Sequence, residues 1–260
     1  MSDSQKKAFF GKATTLMAAI EKSVPKRNNG LFGWTPDDNS RCTDANASMA
    51  LAHLALGRRQ DAEELIGSII RSISTGSHYL YMDFSEEYTD SNGLLVTAFI
   101  ATGRRKDAEA LLKNIERSIP KSDGLFWRTP ADDVRRIDSN ASMALAYLAL
   151  GRREDAEELL NKMENSNVLF KGPNGLFYWD SNRAYVYDNA LLAILYLALG
   201  RRPDAEALLA KLDDEKIIPK GDHGLFGNTP TSNNEYTNVN ALMVLAYCAF
   251  VGVDIFKLER

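Results

Sequence analysis

The stretch 138-DSNASMALAYLALGRREDAEELL-160 contains one complete folding unit, and the chain repeats it. Up to Leu150 it is apolar on nearly every side and rich in alanine, the composition of a helix with no solvent face. Beyond Gly151-Arg152-Arg153 it becomes amphipathic. The same half-unit further upstream shows the 3.6-residue period most clearly, at Ala62, Leu65, Ile66, Ile69, Ile70 and Ile73. Glycine between the halves suits the left-handed position after a helix, and Asp-Ala-Glu suits the positive start of the next one. Pro203 fits a first helical turn.

Gly-Arg-Arg stands at 57–59, 103–105, 151–153 and 200–202, spaced by 46, 48 and 49 residues. Asp61, Asp107, Asp155 and Asp204 each follow after one residue, and Asn46, Asn92, Asn140 and Asn189 each precede a glycine by eleven. A degenerate fifth copy runs from Asn238-Val-Asn240 to Gly252. The ends of the chain are complementary. The segment 20-IEKSVPK-26 matches 115-IERSIPK-121, so the chain opens on an outer-type helix and closes on an inner-type one, 240–251. An open solenoid wants polar caps at both ends, and tetratricopeptide units repeat every 34 residues. Split halves predict instead that the first helix docks beside the last. The expected fold is all-α, a closed (α/α)5 toroid of five helical hairpins forming one domain over 1–260.

Composition agrees with this and narrows the function. The 260 residues are 45% apolar and 25% charged, with a net charge of −4, which excludes wholesale disorder and gives no general case for a nucleic-acid partner. No run reaches the length of a membrane helix, and no cleavable secretory pattern stands at the N-terminus, so a cytoplasmic location and no membrane partner are expected. Two cysteines, Cys42 and Cys248, allow one bridge at most and no four-cysteine zinc site. No His/Cys/carboxylate spacing, P-loop or dinucleotide fingerprint occurs, so neither metal nor cofactor is implied. Oligomeric state is left open.

The tight Gly-Arg-Arg turns put all long linkers at the other end of the ring, around the starts of the inner helices. Three linkers share GLFxxTP, at 30–36, 124–130 and 224–230, with 175-GLFYWDS-181 a variant and 74–90 divergent. Each is expected to hold a short extended segment or hairpin. Trp34, Trp127 and Trp179 all fall here, as packing lids or as flat platforms for a ligand. Asp44, Asp90, Asp138 and Asp188 stand at the starts of inner helices, where aspartate caps well and where one or two could also do acid/base chemistry. The asparagines are read as bonding either the linkers or ligand hydroxyls. Three residues before the aspartates the repeats diverge. Glu87-Tyr88-Thr89 recurs as Glu235-Tyr236-Thr237, making Glu87 and Glu235 acid/base candidates beside Tyr88 and Tyr236. Arg41, Arg135, Arg136 and Arg183 could clamp an anion or pair with those glutamates. Five helix axes ~9–10 Å apart make a ring of ~8 Å radius, leaving a bowl rather than a pore. Carboxylates around that bowl would sit ~6–10 Å apart, overlapping the separations of glycoside-cleaving pairs.

These inner-helix starts, 138–160 and 188-DNALLAILYLALGRRPDAEALL-209, resemble those of the six-hairpin glycosidase-like (α/α)-toroid proteins. Glucoamylase-like hydrolases, unsaturated glucuronyl hydrolases and sugar epimerases are similar, although this chain shows five hairpins rather than six. The resemblance implies saccharide held at the inner-helix mouth and carboxylate chemistry. The resulting expectation is an intracellular glycoside hydrolase-like enzyme for a small or anionic saccharide. Its catalytic candidates are Glu87, Glu235, Asp90 and Asp138. Trp34, Arg41, Asp44, Tyr88, Trp127, Arg135, Trp179, Asp188 and Tyr236 are its binding candidates. The alternative is a non-catalytic toroid that binds a small ligand or a protein in the same bowl.

Overall fold

Alanine-rich runs form the inner helices and charged amphipathic runs the outer ones, in strict alternation along the chain. The computed structural model describes residues 1–38, 40, 42–73, 75–78, 80–83, 86–166, 168–178, 183–232 and 234–254. Two binding candidates, Arg41 and Trp179, therefore lie outside the described residues. Among the described residues the outer helices are α1 (Asp3–Ser23), α3 (Arg59–Ser72), α5 (Arg105–Ser118), α7 (Arg153–Glu164) and α9 (Arg202–Leu212). The inner ones are α2 (Thr43–Ala55), α4 (Thr89–Ala101), α6 (Ile137–Ala149), α8 (Val186–Ala198) and α10 (Thr237–Phe250). Inner helices are buried along almost their whole length, whereas outer helices bury one stripe, such as Ala156, Leu159, Leu160 and Met163 of α7.

The ring closes. Helix α2 packs on α4, α4 on α6, α6 on α8, α8 on α10, and α10 back on α2. Each inner helix also packs against an outer one, and α1 at the start of the chain takes that place beside α10 at its end. The all-α toroid read from the split repeat is thus the fold observed. Gly151 has φ of 81°, a left-handed turn that non-glycine residues reach only with strain, and it reverses the chain from α6 into α7. At the outer-helix starts Arg58, Arg104, Arg152 and Arg201 pair with Asp61, Asp107, Asp155 and Asp204 at 2.7–2.9 Å. These arginines serve helix starts, as half-exposed pairs of small energetic weight.

Every linker folds back on itself. Strands β1 (Lys121–Ser122) and β2 (Leu125–Phe126) pair antiparallel, as do β3 (Phe170–Lys171) and β4 (Phe177–Tyr178). Single bridges Lys26–Phe32, Thr75–Tyr81 and Lys220–Phe226 mark the same hairpin in the other linkers. Each hairpin is tied to its inner helix by one asparagine. The Phe126 N–H donates to Asn140 Oδ1 at 2.8 Å, and Asn140 Nδ2 donates to the Phe126 carbonyl at 3.1 Å and the Arg136 carbonyl at 2.9 Å. Asn46 with Phe32, Asn92 with Tyr81, Asn189 with Phe177 and Asn240 with Phe226 repeat the arrangement.

The aspartates at the helix starts are not the caps. The capping residues are Cys42, Tyr88, Arg136, Tyr185 and Tyr236, none using its side chain. At α2, α4, α8 and α10 the leading N–H is received instead by the next linker around the ring. Thr89 donates from N to the Arg128 carbonyl at 2.9 Å and from Oγ1 to the Trp127 carbonyl at 2.7 Å. Thr237 does the same to Trp34 and Gly33, which carries the pattern across the two chain ends.

Replacing Asn140 by alanine leaves the buried N–H and carbonyl of Phe126 without partners, while the Arg136 carbonyl keeps the backbone N–H of residue 140, and a loss of about 3 kcal/mol is expected. Urea denaturation should show it, whereas Arg105→Ala, which removes an exposed pair with Glu109, should cost under ~0.5 kcal/mol.

Candidate functional site

Aligning the repeats on the clamping asparagine shows which positions face the axis at the linker end. The capping position supplies Tyr88, Arg136, Tyr185 and Tyr236, and two residues later come Asp44, Asp90, Asp138, Tyr187 and Asn238. The second residue after the clamped aromatic supplies Trp34, Asp83, Arg128 and Asn228. Together with Ser91 and Asp188 these side chains line one cavity of about 350 Å³. Repetition delivers the same backbone positions to the cavity, and the side chains there differ from repeat to repeat.

Five carboxylates meet in it. Asp44 accepts from the Ala45 N–H at 2.6 Å and from Asn238 Nδ2 at 2.5 Å, a bond that joins α2 to α10. Asp83 comes from the divergent linker and accepts from the Thr43 N–H and the Ser91 hydroxyl, replacing the carbonyl that other linkers offer the preceding inner helix. Asp90 accepts from the Tyr187 hydroxyl at 3.1 Å. Asp138 pairs with Arg136 at 2.8 Å. Asp188 is fully buried, and neither of its carboxylate oxygens has a hydrogen-bond partner among the described residues. In the aligned repeats Tyr187 takes the aspartate position and Asp188 falls one residue later, where α4 and α6 carry Ser91 and Ser139.

Crowding these acids away from water favours their protonated forms. Burial raises Asp90 to about 7, with help from Asp138 and Asp83, and Arg136 and the Tyr187 bond pull the other way. Burial likewise lifts Asp83 to about 6. It holds Asp44 and Asp188 well above the ordinary carboxylate range, with Asp83 adding to the first and Asp138 to the second. The Cys42 thiol lies with oxygens of Asp44 and Asp83 inside 4.8 Å, the one group among the described residues with the compactness of a cation site. Both carboxylates in it already accept protein hydrogen bonds.

The candidates, binding and catalytic alike, divide into those that line the cavity and those that do not. Trp34, Asp44, Tyr88, Asp90, Asp138, Asp188 and Tyr236 line the cavity, with Trp34 and Tyr236 rings 4.4 Å apart. Trp127 packs against the core. Arg135 pairs with Asp123 at 2.6 Å on the surface, and its neighbour Arg136 is the arginine that reaches the cavity. Glu87 and Glu235 are placed differently from the sequence expectation, under their own linkers and outside the cavity lining. Glu87 accepts from the His78 N–H at 3.0 Å, the Leu80 N–H at 3.3 Å and His78 Nδ1 at 2.5 Å. Glu235 holds His223 and Leu225 in the same way. A Cβ on Gly76 or Gly221 would lie 2.5 Å from these carboxylates, which explains the glycine two residues before each histidine. Asp123 and Arg135 occupy the equivalent places with the charges exchanged. The signal was present in the sequence as two matched halves, G-x-H and E-Y-T. Asp83, Arg128, Tyr185, Tyr187, Asn228 and Asn238 were missed, and the alignment on asparagine is what finds them.

The tetratricopeptide repeat profile matches residues 141–162 and 190–211, each an inner–outer turn of the ring. No curated protein sequence matches. Among solved structures, an α-1,6-mannanase of glycoside hydrolase family 76 from Salegentibacter sp. HEL1_6 superposes with a TM-score of 0.62 at 13% identity, covering 95% of this chain and 100% of its own. It is an inactive variant with two consecutive aspartates replaced, in complex with α-1,6-mannotriose. A family 76 α-mannanase from Bacteroides thetaiotaomicron gives 0.56 at 11% identity, covering 94% and 95%. The chain shares the α/α-toroid fold of these mannanases. Those mannanases are (α/α)6 rings, and here the described residues form five inner–outer pairs. None of the five cavity aspartates is adjacent to another in this toroid's sequence.

The raised Asp90 carries a sign that can be checked. Native protein keeps a proton there between pH ~4 and ~7 that the unfolded chain releases, so Asp90 weakens the fold progressively across that window. Asp90→Asn removes this effect and should gain stability relative to wild type as pH rises from 4.5 to 7.5, then level off. Urea midpoints at both pH values measure it, and a constant difference would contradict the assigned burial.

Proposed function

We propose that the toroid is a glycoside hydrolase-like enzyme that holds a saccharide in the linker-face cavity and cleaves it by carboxylate acid/base chemistry. The observation that carries this reading is the meeting of Asp90 and Asp138 in one cavity in two unlike environments. Asp90 exchanges its proton near neutral pH, as a general acid must. Asp138 is bonded by the Arg136 guanidinium, an arrangement suited to a base or nucleophile. Trp34 and Tyr236 offer apolar rings for a sugar face. The fold shared with mannanases, one crystallised with α-1,6-mannotriose, supports the substrate class. A cytoplasmic location belongs to the same proposal and accords with two free, buried cysteines.

A non-catalytic toroid that binds its ligand intact is the second reading. It is favoured by the lack of any consecutive aspartate pair in the cavity, unlike the pair whose replacement inactivates the mannanase.

A panel of mannooligosaccharides and other small glycosides separates the two. Turnover that falls about 100-fold or more in both Asp90→Asn and Asp138→Asn, with the fold intact by circular dichroism, is expected for general acid/base roles. Glu87→Gln and Glu235→Gln should lower thermal stability and leave turnover within a few-fold. Binding without turnover of any glycoside would establish the second reading.

A further inference from the structure

The cavity holds more acid than hydrolysis requires. Asp44, Asp83, Asp90 and Asp188 have no ion-pair partner among the described residues, since Arg136 is bonded to Asp138 and Arg128 lies 3.5 Å from Asp132. Asp188 adds an independent observation. It is fully buried, lines the cavity, and both its oxygens lack a hydrogen-bond donor among the described residues. A buried polar group left unsatisfied is costly, and native structures nearly always supply it a partner. The other cavity aspartates accept bonds from within the described residues, so Asp188 is the acid left open to a ligand.

A neutral sugar hydroxyl could satisfy the hydrogen bond but leaves the charge imbalance untouched. The walls favour a cation. Arg128 already lies over the Tyr88 ring at 4.7 Å and Arg136 over the Tyr185 ring at 5.7 Å, so the aromatic faces of this cavity stack positive groups. An anionic saccharide, one of the classes the sequence allowed, would meet four carboxyl groups and no guanidinium that lacks a carboxylate partner.

We infer that the cavity recognises a saccharide bearing a free amino group, whose ammonium is received by Asp188. The inference rests on the saccharide reading given above and specifies its substrate class. Burial keeps protons on the unfilled acids, and an ammonium lets Asp188 ionise without leaving a lone charge in the cavity.

Calorimetric titration of the full chain at pH 6 compares three trimers: β-1,4-linked glucosamine, its fully N-acetylated form, and α-1,6-mannotriose. The glucosamine trimer should bind at least ~10-fold more tightly than either neutral trimer. Raising sodium chloride from 50 to 500 mM should weaken that binding several-fold and leave the neutral trimers unaffected. Asp188→Asn should collapse the preference to threefold or less. Mannotriose binding as tightly as the glucosamine trimer overturns the inference and leaves the saccharide reading standing. A salt-independent preference, or one that survives in Asp188→Asn, also overturns it. An aliphatic diamine binding as tightly as the glucosamine trimer overturns the sugar part, and failure of all three trimers overturns both readings.

Discussion

An asparagine side chain standing in for a β-strand holds this molecule's working face together. Its amide accepts from and donates to the backbone of one linker aromatic, as a neighbouring strand would, and donates again to the carbonyl that opens its own inner helix. Only a side chain carrying both an acceptor and two donors on a short stem can do this. Aspartate lacks the donors, and glutamine has one more carbon to place. The bond set occurs with Asn46, Asn92, Asn140, Asn189 and Asn240, and it converts five surface loops into extensions of a buried helical ring.

Fixing the loops leaves the neighbouring positions free to differ. Around the clamp, the capping residue, the residue two later and the residue two beyond the linker aromatic all face the cavity, and their identities run from Trp34 to Asp83 to Arg128. A second layer of bonds links the starts of α2, α4, α8 and α10 to the next linker around the ring. Thr237 of α10 donates to Trp34 and Gly33, so the chain ends are stitched by the same chemistry as the interior. The cavity is therefore assembled from all parts of the chain, and one displaced linker would misplace the side chains of its neighbour.

Much of this was legible because repetition exposes it. The matched segments 20–26 and 115–121 imply closure whatever the loops do, and the alternation of alanine-rich with amphipathic runs assigns inner and outer helices. The site was harder to read because the strongest variable positions in a repeat are not all functional. Glu87 and Glu235 differ from Arg135 since each balances its own linker's partner, histidine in two cases and aspartate in the third. Trp127 has the residue type of a ligand platform but packs against the core. Asp188 reads as a fourth copy of a helix-start aspartate until the asparagines are aligned, when it proves to be shifted by one residue. A shift of one residue on a helix turns a side chain by about 100°, and this one leaves Asp188 buried without a hydrogen-bond partner among the described residues.

Native-state hydrogen exchange tests the clamp most directly. The amides of Phe32, Tyr81, Phe126, Phe177 and Phe226 lie in linkers whose named strands are only two residues long, yet each donates to a buried asparagine. Protection of all five amides to within about tenfold of the inner-helix amides is expected, since opening them requires undocking a linker from the ring. Exchange of these amides at the rate of exposed loops, with the inner helices still protected, would contradict it and leave the cavity without a fixed wall.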